Sequence, residues 1–164
     1  MENREQSCCF TGHRIIPKEE YAEVTRRLQW EIVRLIGEGV RYFQAGGALG
    51  FDTLAAQTVL RLKKSFPSIR LILVLPCKTQ HQYWKAKDSF LYQKILKSCD
   101  RVIYISEEYT KDCMYRRNRY LVDHSQYCIC YQTKSSGGTA YTVNYAKKQC
   151  LSVTNLAQQQ LSFF

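Results

Sequence analysis

Three glycine-centred loops constrain this chain more than any other feature, because each one follows a short apolar segment and precedes a segment with helical periodicity. The loops are Gly12-His13-Arg14, residues 46–52 (GGALGFD) and Gly137-Gly138-Thr139. Glycine lets the backbone approach an anion closely, and the helix that follows offers free N–H groups and the positive end of its dipole. Three such loops predict a shared phosphate-binding crevice.

Apolar segments and helical patterns alternate along the chain. The predicted strands are residues 8–11, 41–45, 69–75, 101–105, 127–131 and 151–156, and the predicted helices are residues 18–37, 52 onward, 80–97 with an interruption near Asp88, 114–124 and 137–148. Connections of this length are too long for hairpins and indicate crossovers between parallel strands. We therefore expect an α/β fold with helices on both faces of a mostly parallel sheet, and a crevice at the carboxyl ends of its strands.

Composition limits the class of protein. The chain has 164 residues, of which 45% are apolar and 23% charged, as in a single globular domain. No stretch approaches the roughly 20 apolar residues that cross a bilayer, and the first six residues lack the pattern of a secretory signal. We expect a cytoplasmic protein with no membrane partner. The formal net charge of +10 suits an anionic ligand or a nucleic acid and does not distinguish them.

Eight cysteines raise the question of a metal site, but no CxxC pair is present. Cys8 and Cys9 are neighbours in a predicted strand and should point to opposite faces, whereas Cys128 and Cys130 share a face without another ligand pair. The spacing therefore predicts buried free thiols and no metal site. Cys77, which follows a proline at a strand end, could border the crevice.

The standard nucleotide fingerprints GxGxxG and GxxxxGK[ST] are absent, which disfavours a conventional NAD enzyme and a P-loop ATPase. Four other segments resemble bacterial YpsA-like proteins of the SLOG superfamily, in their order and spacing over about residues 8–148. They are residues 9–14 (CFTGHR), 46–56 (GGALGFDTLAA), 114–118 (MYRRN) and 137–139 (GGT). The resemblance implies a single-domain Rossmann-like three-layer sandwich over residues 1–164, related to the Smf/DNA-processing protein A and Lonely Guy families, and a kinship with sensors of nucleotide-derived ligands.

The glycine loops and the resemblance together predict the ligand site. Glycines would leave room for phosphate or ribose, Thr139 would add a hydroxyl donor, and Arg117 would reach an anion. Arg117 and Asn118 align with the Met-x-x-Arg-Lys region of Lonely Guy-like enzymes, in which the arginine belongs to the active site; Asn118 takes the place of the lysine. The candidate ligand-binding residues are Gly12, His13, Arg14, Gly46, Gly47, Gly50, Asp52, Arg117, Asn118, Gly137, Gly138 and Thr139.

Each candidate also has a plainer explanation. Some glycines could only form turns, His13 could stabilise a turn, and Asp52 could begin or cap a helix instead of binding a ribose hydroxyl. The basic residues 116–119 could be a solvated helix face. Five aromatic rings could stack on a base or simply pack in the core or on the surface, namely Phe51, Tyr83, Trp84, Tyr115 and Tyr141.

The last loop departs from the Lonely Guy pattern. Those enzymes carry Pro-Gly-Gly-x-Gly-Thr-x-x-Glu, whose glutamate supports cleavage of an N-glycosidic bond, whereas residues 136–143 read SGGTAYTV. Cleavage through an oxocarbenium-like transition state normally needs a carboxylate, which Glu107, Glu108 or Asp123 could supply from elsewhere. Whether the protein is an enzyme therefore stays open, and no catalytic residue is assigned.

We accordingly expect a protein that binds or senses a nucleotide-derived ligand, either a nucleoside phosphate or an ADP-ribose-like molecule, and that requires no cofactor. A nucleotide-processing hydrolase is the alternative, and nucleic-acid binding is a weaker one. Residues 157–164 are predicted to form a loosely attached or interface tail, in which Phe163 and Phe164 could pack against a second copy in a homo-oligomer.

Overall fold

Six parallel strands form one sheet, and five helices cover its two faces in the computed structural model, which describes residues 2–157. A short 3₁₀ turn, Arg4–Gln6, precedes the first strand. The elements are β1 (Ser7–Gly12), α1 (Tyr21–Gly37), β2 (Tyr42–Ala45), α2 (Phe51–Lys63), β3 (Arg70–Leu75), α3 (Ala86–Ser98), β4 (Arg101–Tyr104), α4 (Cys113–Asp123), β5 (Tyr127–Tyr131), α5 (Gly138–Lys148) and β6 (Ser152–Asn155).

The strand order is β4-β3-β2-β1-β5-β6, and every neighbouring pair is parallel. The chain therefore runs in one direction from β1 to β4 and then crosses back to place β5 on the other side of β1. In sheets of this kind, ligands bind outside the carboxyl ends of the strands where the order reverses. The predicted α/β fold is confirmed, and the reversal between β1 and β5 defines where a site should be sought.

The two faces of the sheet have separate apolar cores. One core lies under α1, α2 and α3, and the other lies under α4 and α5. Cys8 belongs to the first core and Cys9 to the second, and both are fully buried. Successive residues of a strand face opposite sides, and helices cover both, so the inner strands β3 and β5 are apolar almost throughout.

The predicted burial of the strand cysteines is confirmed. Cys8, Cys9, Cys128 and Cys130 are all buried as free thiols. Burial raises the pKa of Cys8 well above its ordinary value and that of Cys130 to about 12, so these thiols stay neutral and unreactive. Cys77 is also buried, beside Thr79, and does not line the crevice described below.

All five helices begin at residues other than those predicted, α1 and α3 by three residues or more and the others by one. α1 begins at Tyr21 because the preceding residues form a turn, in which the Glu20 N–H donates to the Pro17 carbonyl at 2.9 Å. Turns also occupy residues 78–84, so α3 begins at Ala86, and Asp88 lies in its first turn rather than at an interruption. A carboxylate in the first turn of a helix interacts favourably with the positive N-terminal end of the helix dipole. α2 begins one residue early, at Phe51.

Two further expectations concern the C-terminal tail and membrane-spanning helices. Ala157 packs on the first core, whereas the rest of the predicted tail, including Phe163 and Phe164, lies outside the described residues. Within residues 2–157, no helix has both the length and the apolar character needed to cross a bilayer.

Candidate functional site

A crevice of about 460 Å3 opens at the carboxyl end of the sheet, beside the reversal between β1 and β5. Its walls come from the end of β1, the loop after β2, the segment before α4, and the first turns of α4 and α5. The predicted residues that line it are Gly12, His13, Arg14, Asp52, Arg117, Asn118, Gly138 and Thr139. Gly46, Gly47, Gly50 and Gly137 lie next to this lining without forming part of it.

Close packing within the protein explains most of the glycines. A Cβ atom on Gly12 would lie 2.5 Å from the Phe51 ring, and one on Gly50 would lie 2.2 Å from the backbone oxygen of Arg14. One on Gly47 would lie 2.4 Å from a Leu75 methyl carbon. Real Cβ atoms do not approach other atoms so closely, so these positions require glycine whether or not a ligand binds.

The glycines at the start of α5 are different. Gly137 occupies the N-cap position with a φ of 96°, a backbone conformation that favours glycine. Gly138 has no such φ, and a Cβ built on it would meet no atom of residues 2–157 within 4 Å. Neither packing nor backbone conformation requires glycine at this position, so its bare backbone leaves the N-terminus of α5 open to the crevice.

Arg117 is the most deeply placed charge in the crevice, with only 4% of its surface exposed. It projects from α4, donates from Nη1 to the Gly46 carbonyl oxygen, and donates from Nε to Asn118 Oδ1 at 2.9 Å. Burial lowers the pKa of Arg117 from its ordinary value of 12.5, but arginine remains charged in proteins. These two bonds use two of its five N–H donors, so donors remain for an anion.

Asp52 faces the same space from α2 and is 6% exposed. It does not cap the helix, because Gly50 occupies the N-cap position; its Oδ2 instead accepts from the Ala48 N–H at 3.2 Å. Burial raises the pKa of Asp52 to about 6, although the Arg117 charge, the Ala48 N–H and the Arg14 charge all act to lower it. The carboxyl group can therefore change its charge near neutral pH.

Asp52 is also the one carboxylic acid among the described residues that line the crevice. Glu107 pairs with Lys78 at 2.8 Å, and Asp123 accepts from the Tyr145 hydroxyl at 2.6 Å. Neither of these two acids lines the crevice, nor does Glu108. Of the acids considered from the sequence, Asp52 alone has the position to act on a ligand there.

His13 joins two loops at the edge of the crevice. Its Nε2 accepts from the Thr133 N–H at 2.8 Å, and its carbonyl oxygen accepts from the Phe51 N–H at 3.1 Å. Burial and the nearby Lys134 charge lower the pKa of His13 from its ordinary value of 6.5, which favours the neutral imidazole that this acceptor role needs. The turn-stabilising explanation therefore accounts for His13.

The profile of the YspA SLOG family matches residues 16–163 of this chain. The chain belongs to this family. It is 35% identical over 133 residues to the uncharacterized SPbeta prophage-derived protein YoqJ of Bacillus subtilis strain 168, covering 73% of this chain and 78% of that protein. It is 31% identical over 129 residues to a UPF0398 protein of Halalkalibacterium halodurans, covering 77% of this chain and 68% of that protein.

Two solved structures share the fold of this SLOG protein. DNA processing protein A from Helicobacter pylori, whose structure was described for its single-stranded DNA binding mode, superposes with a TM-score of 0.70 at 18% identity, covering 97% of this chain and 68% of that one. DNA processing protein A from Streptococcus pneumoniae superposes with a TM-score of 0.69 at 19% identity, covering 96% of this chain and 52% of that one. At these identities, the likeness establishes the fold alone.

The aromatic residues of the SLOG chain that were considered for base stacking lie in different parts of the structure. Tyr115 lines the crevice with half of its surface exposed and packs edge-to-face on Tyr141, with ring centroids 5.0 Å apart. Phe51 is buried in the core and Trp84 packs against Tyr92. Tyr83 is exposed away from the crevice. Tyr115 is thus the candidate ring that can meet a ligand.

Sequence reasoning missed the part of the lining that lies before α4. Tyr109 and Lys111, between β4 and α4, add an exposed ring and a cation to the crevice. In the sequence, the only indication of this role is that both residues lie shortly before the MYRRN segment. The sequence does not show that the loop between β4 and α4 reaches the crevice. Arg116 and Arg119 do not line it, as expected because they point about 100° and about 200° away from Arg117 around the helix axis.

Proposed function

We propose that this SLOG protein binds a nucleotide-derived ligand through a phosphate held in the crevice. The observation that carries the proposal is the convergence of buried Arg117 and the open backbone at Gly138 on one space. A guanidinium offers forked donors that match phosphate oxygens, and a helix N-terminus offers N–H groups and a favourable dipole. Arg14 and Lys111 add two further cations to the lining.

The remaining lining suits a sugar and a base. Asp52, Asn118 and Thr139 supply polar groups that could bond ribose hydroxyls, and Tyr109 and Tyr115 supply rings at the mouth that could stack on a base. The volume of about 460 Å3 falls within the range of roughly 300–1,000 Å3 that is usual for small-molecule sites. These features favour a nucleoside phosphate over a bare anion.

The first test identifies the ligand. Purified protein is denatured, any small molecule that it releases is identified by mass spectrometry, and that compound, or otherwise AMP and ADP-ribose, is titrated calorimetrically into the protein. We expect a stoichiometric nucleotide derivative. Failure of the protein to carry or bind any of these compounds would overturn the proposal.

A pair of variants then tests the position. Gly138→Asp places a negative charge where the phosphate should lie, in a helical first turn where aspartate favours folding. Asn144→Asp adds the same charge to an exposed position of α5 outside the crevice. We expect the first variant to keep its fold and lose at least about tenfold in affinity, and the second to bind normally. Equal affinities would contradict the proposed site.

A nucleotide-processing hydrolase is the second candidate function, and Asp52 is the observation that favours it. A carboxyl group with a pKa raised to about 6 could act as a general acid or base near neutral pH. Incubation with a panel of nucleotides distinguishes the two functions, because a hydrolase releases free base or phosphate catalytically. Turnover that is lost in Asp52→Asn, with ligand binding retained, would favour the enzyme.

Nucleic-acid binding has its own supporting observation. Arg119 donates to the Tyr141 hydroxyl at 2.8 Å and lies over the Tyr145 ring at 5.3 Å, which places two rings and a cation beside Tyr115. Such a surface could stack the bases of a single strand. Fluorescence anisotropy with single-stranded DNA at several salt concentrations tests it, with Arg119→Ala expected to weaken DNA binding and leave nucleotide binding unchanged.

A further inference from the structure

A second cavity, of about 610 Å3, lies on the other side of the loop after β1. His13 and Arg14 line both the crevice and this cavity, so the two spaces meet along that loop. The remaining walls are Ile15, Pro17, Glu20, Tyr131, Thr133 and Lys134. A ligand in the crevice that extends past Arg14 would therefore reach a second chamber of at least the same size.

Arg14 stands between the chambers with a fixed backbone and a free side chain. Gly50 packs so closely on it that a Cβ there would lie 2.2 Å from the Arg14 carbonyl oxygen. The side chain is exposed, and within residues 2–157 its guanidinium has no hydrogen-bond acceptor. A guanidinium with all five donors free, at the junction of two chambers, suits a diphosphate that passes from one to the other.

Glu20 is oriented toward the second chamber. It occupies the N-cap position of α1, where a carboxylate usually accepts from the first N–H groups of its helix, yet its side chain makes no capping bond. Its Oε2 instead accepts from the Tyr131 hydroxyl at 2.5 Å. Burial and the Glu20 contact raise the pKa of Tyr131 to about 12, so the phenol remains a donor.

Among residues 2–157, no donor bonds the other carboxylate oxygen of Glu20. A carboxylate accepts hydrogen bonds readily, and the neighbouring hydroxyls of a sugar are donors that it can take. Lys134 lies in the same wall and adds a cation. The second chamber therefore combines an acceptor for hydroxyls, a cation, and the apolar side chains of Ile15 and Pro17.

We propose that the second chamber holds the distal sugar of a two-part ligand, whose nucleoside and first phosphate lie in the crevice and whose second phosphate lies at Arg14. The inference rests on the proposed function and narrows the ligand class from nucleoside phosphates to nucleoside diphosphate sugars of the ADP-ribose type. Glu20, held by Tyr131, binds the hydroxyls of the distal sugar.

Calorimetric titration of AMP and ADP-ribose tests this proposal, because AMP occupies only the crevice. The proteins compared are wild type, Glu20→Gln and Tyr131→Phe, with Glu19→Gln as the control, because Glu19 is an exposed neighbour that does not line the second chamber. Wild type should bind ADP-ribose at least about tenfold more tightly than AMP, as one hydrogen bond to a charged group implies.

Glu20→Gln should remove most of that preference and leave AMP affinity unchanged, whereas Glu19→Gln should keep it. Tyr131→Phe should reduce the preference without altering AMP affinity, and thermal denaturation checks that its core stays folded. Two results would overturn the assignment of the distal sugar to the second chamber and leave the proposed function standing. They are equal wild-type affinities for the two probes, or a Glu20→Gln variant that binds both probes equally more weakly. Absence of binding by both probes would overturn the proposed function itself.

Discussion

Arg117 is bonded to the loop after β2 by its Nη1, which donates to the carbonyl oxygen of Gly46. The approach is close because Gly46 has no side chain: a Cβ there would lie 2.5 Å from Arg117 Nη1 and 2.9 Å from Asp52 Oδ2. The glycine thus allows an acid from α2 and a base from α4 to face one crevice. The charge pattern of the site depends on a position that does not itself line it.

Gly46→Ala should therefore destabilise the protein. The added methyl group displaces Arg117 or Asp52, and overpacking of this kind costs about 1–3 kcal/mol. Gly138→Ala is the matched control, because a Cβ there meets no atom within 4 Å; it should keep or raise stability by up to about 1 kcal/mol. Urea unfolding followed by circular dichroism measures both. A Gly46→Ala protein as stable as the control would contradict this packing.

Arg117→Lys should impair both folding and ligand binding, although it preserves the charge. Lysine has no fork and cannot bond Gly46 and Asn118 together as the guanidinium does. We expect a loss of about 1–3 kcal/mol in the free energy of unfolding and at least about tenfold in affinity for ADP-ribose. Arg116→Lys, at the exposed neighbouring position, should change neither; equal effects of the two substitutions would show that the buried fork is dispensable.

Asp52 should make stability depend on pH. Its pKa is about 6 in the folded protein and about 3.9 in an unfolded chain, so the folded state binds more protons between these values. The free energy of unfolding should therefore fall as pH rises from 4 to 6, by up to about 3 kcal/mol from this group. Urea unfolding at several pH values should show that Asp52→Asn lacks this component and that Glu108→Gln, at an exposed position, retains it. An unchanged slope in Asp52→Asn would refute the assignment.

Asp52 should also make ligand affinity depend on pH. The diphosphate of ADP-ribose keeps its charge over this range, so a change in affinity reports the protein. Affinity should decrease as pH rises through about 6, because an ionised carboxylate near the phosphate repels it. Calorimetry at pH 5 and pH 7.5 measures the effect, and Asp52→Asn should flatten it. Affinity that increases with pH in wild type would run against the prediction.

Acid should loosen the loop that follows β5. The pKa of His13 lies below 6.5, so the stabilisation from its neutral form is present above pH 6.5 and is lost as pH falls below that value. Protonation removes the acceptor of the Thr133 N–H. Amide exchange, corrected for its intrinsic pH dependence, should show protection of Thr133 at pH 7.5 and its progressive loss as pH falls below 6.5. The Gln132 N–H, which donates to Asn155 Oδ1 at 3.1 Å, should keep its protection.

Several sequence inferences succeeded because they depend on residues close together in the chain. The opposite orientations of Cys8 and Cys9 follow from the two-residue period of a strand, and the structure places them in different cores. The start of α3 is predicted too early, because Lys78, Gln80 and Gln82 have good helix propensity but lie in a segment of turns. Helical propensity is a weak influence that tertiary contacts override.

The sequence by itself determined the order and type of the elements and the positions of the glycine loops, because periodicity and turn chemistry are local properties. Only the tertiary structure decided what each glycine is for. Phe51 fills the space beside Gly12 and Arg117 the space beside Gly46, whereas no described residue fills the space beside Gly138. These neighbours are distant along the chain, so the sheet had to assemble before a glycine required by packing could be distinguished from one open to a ligand.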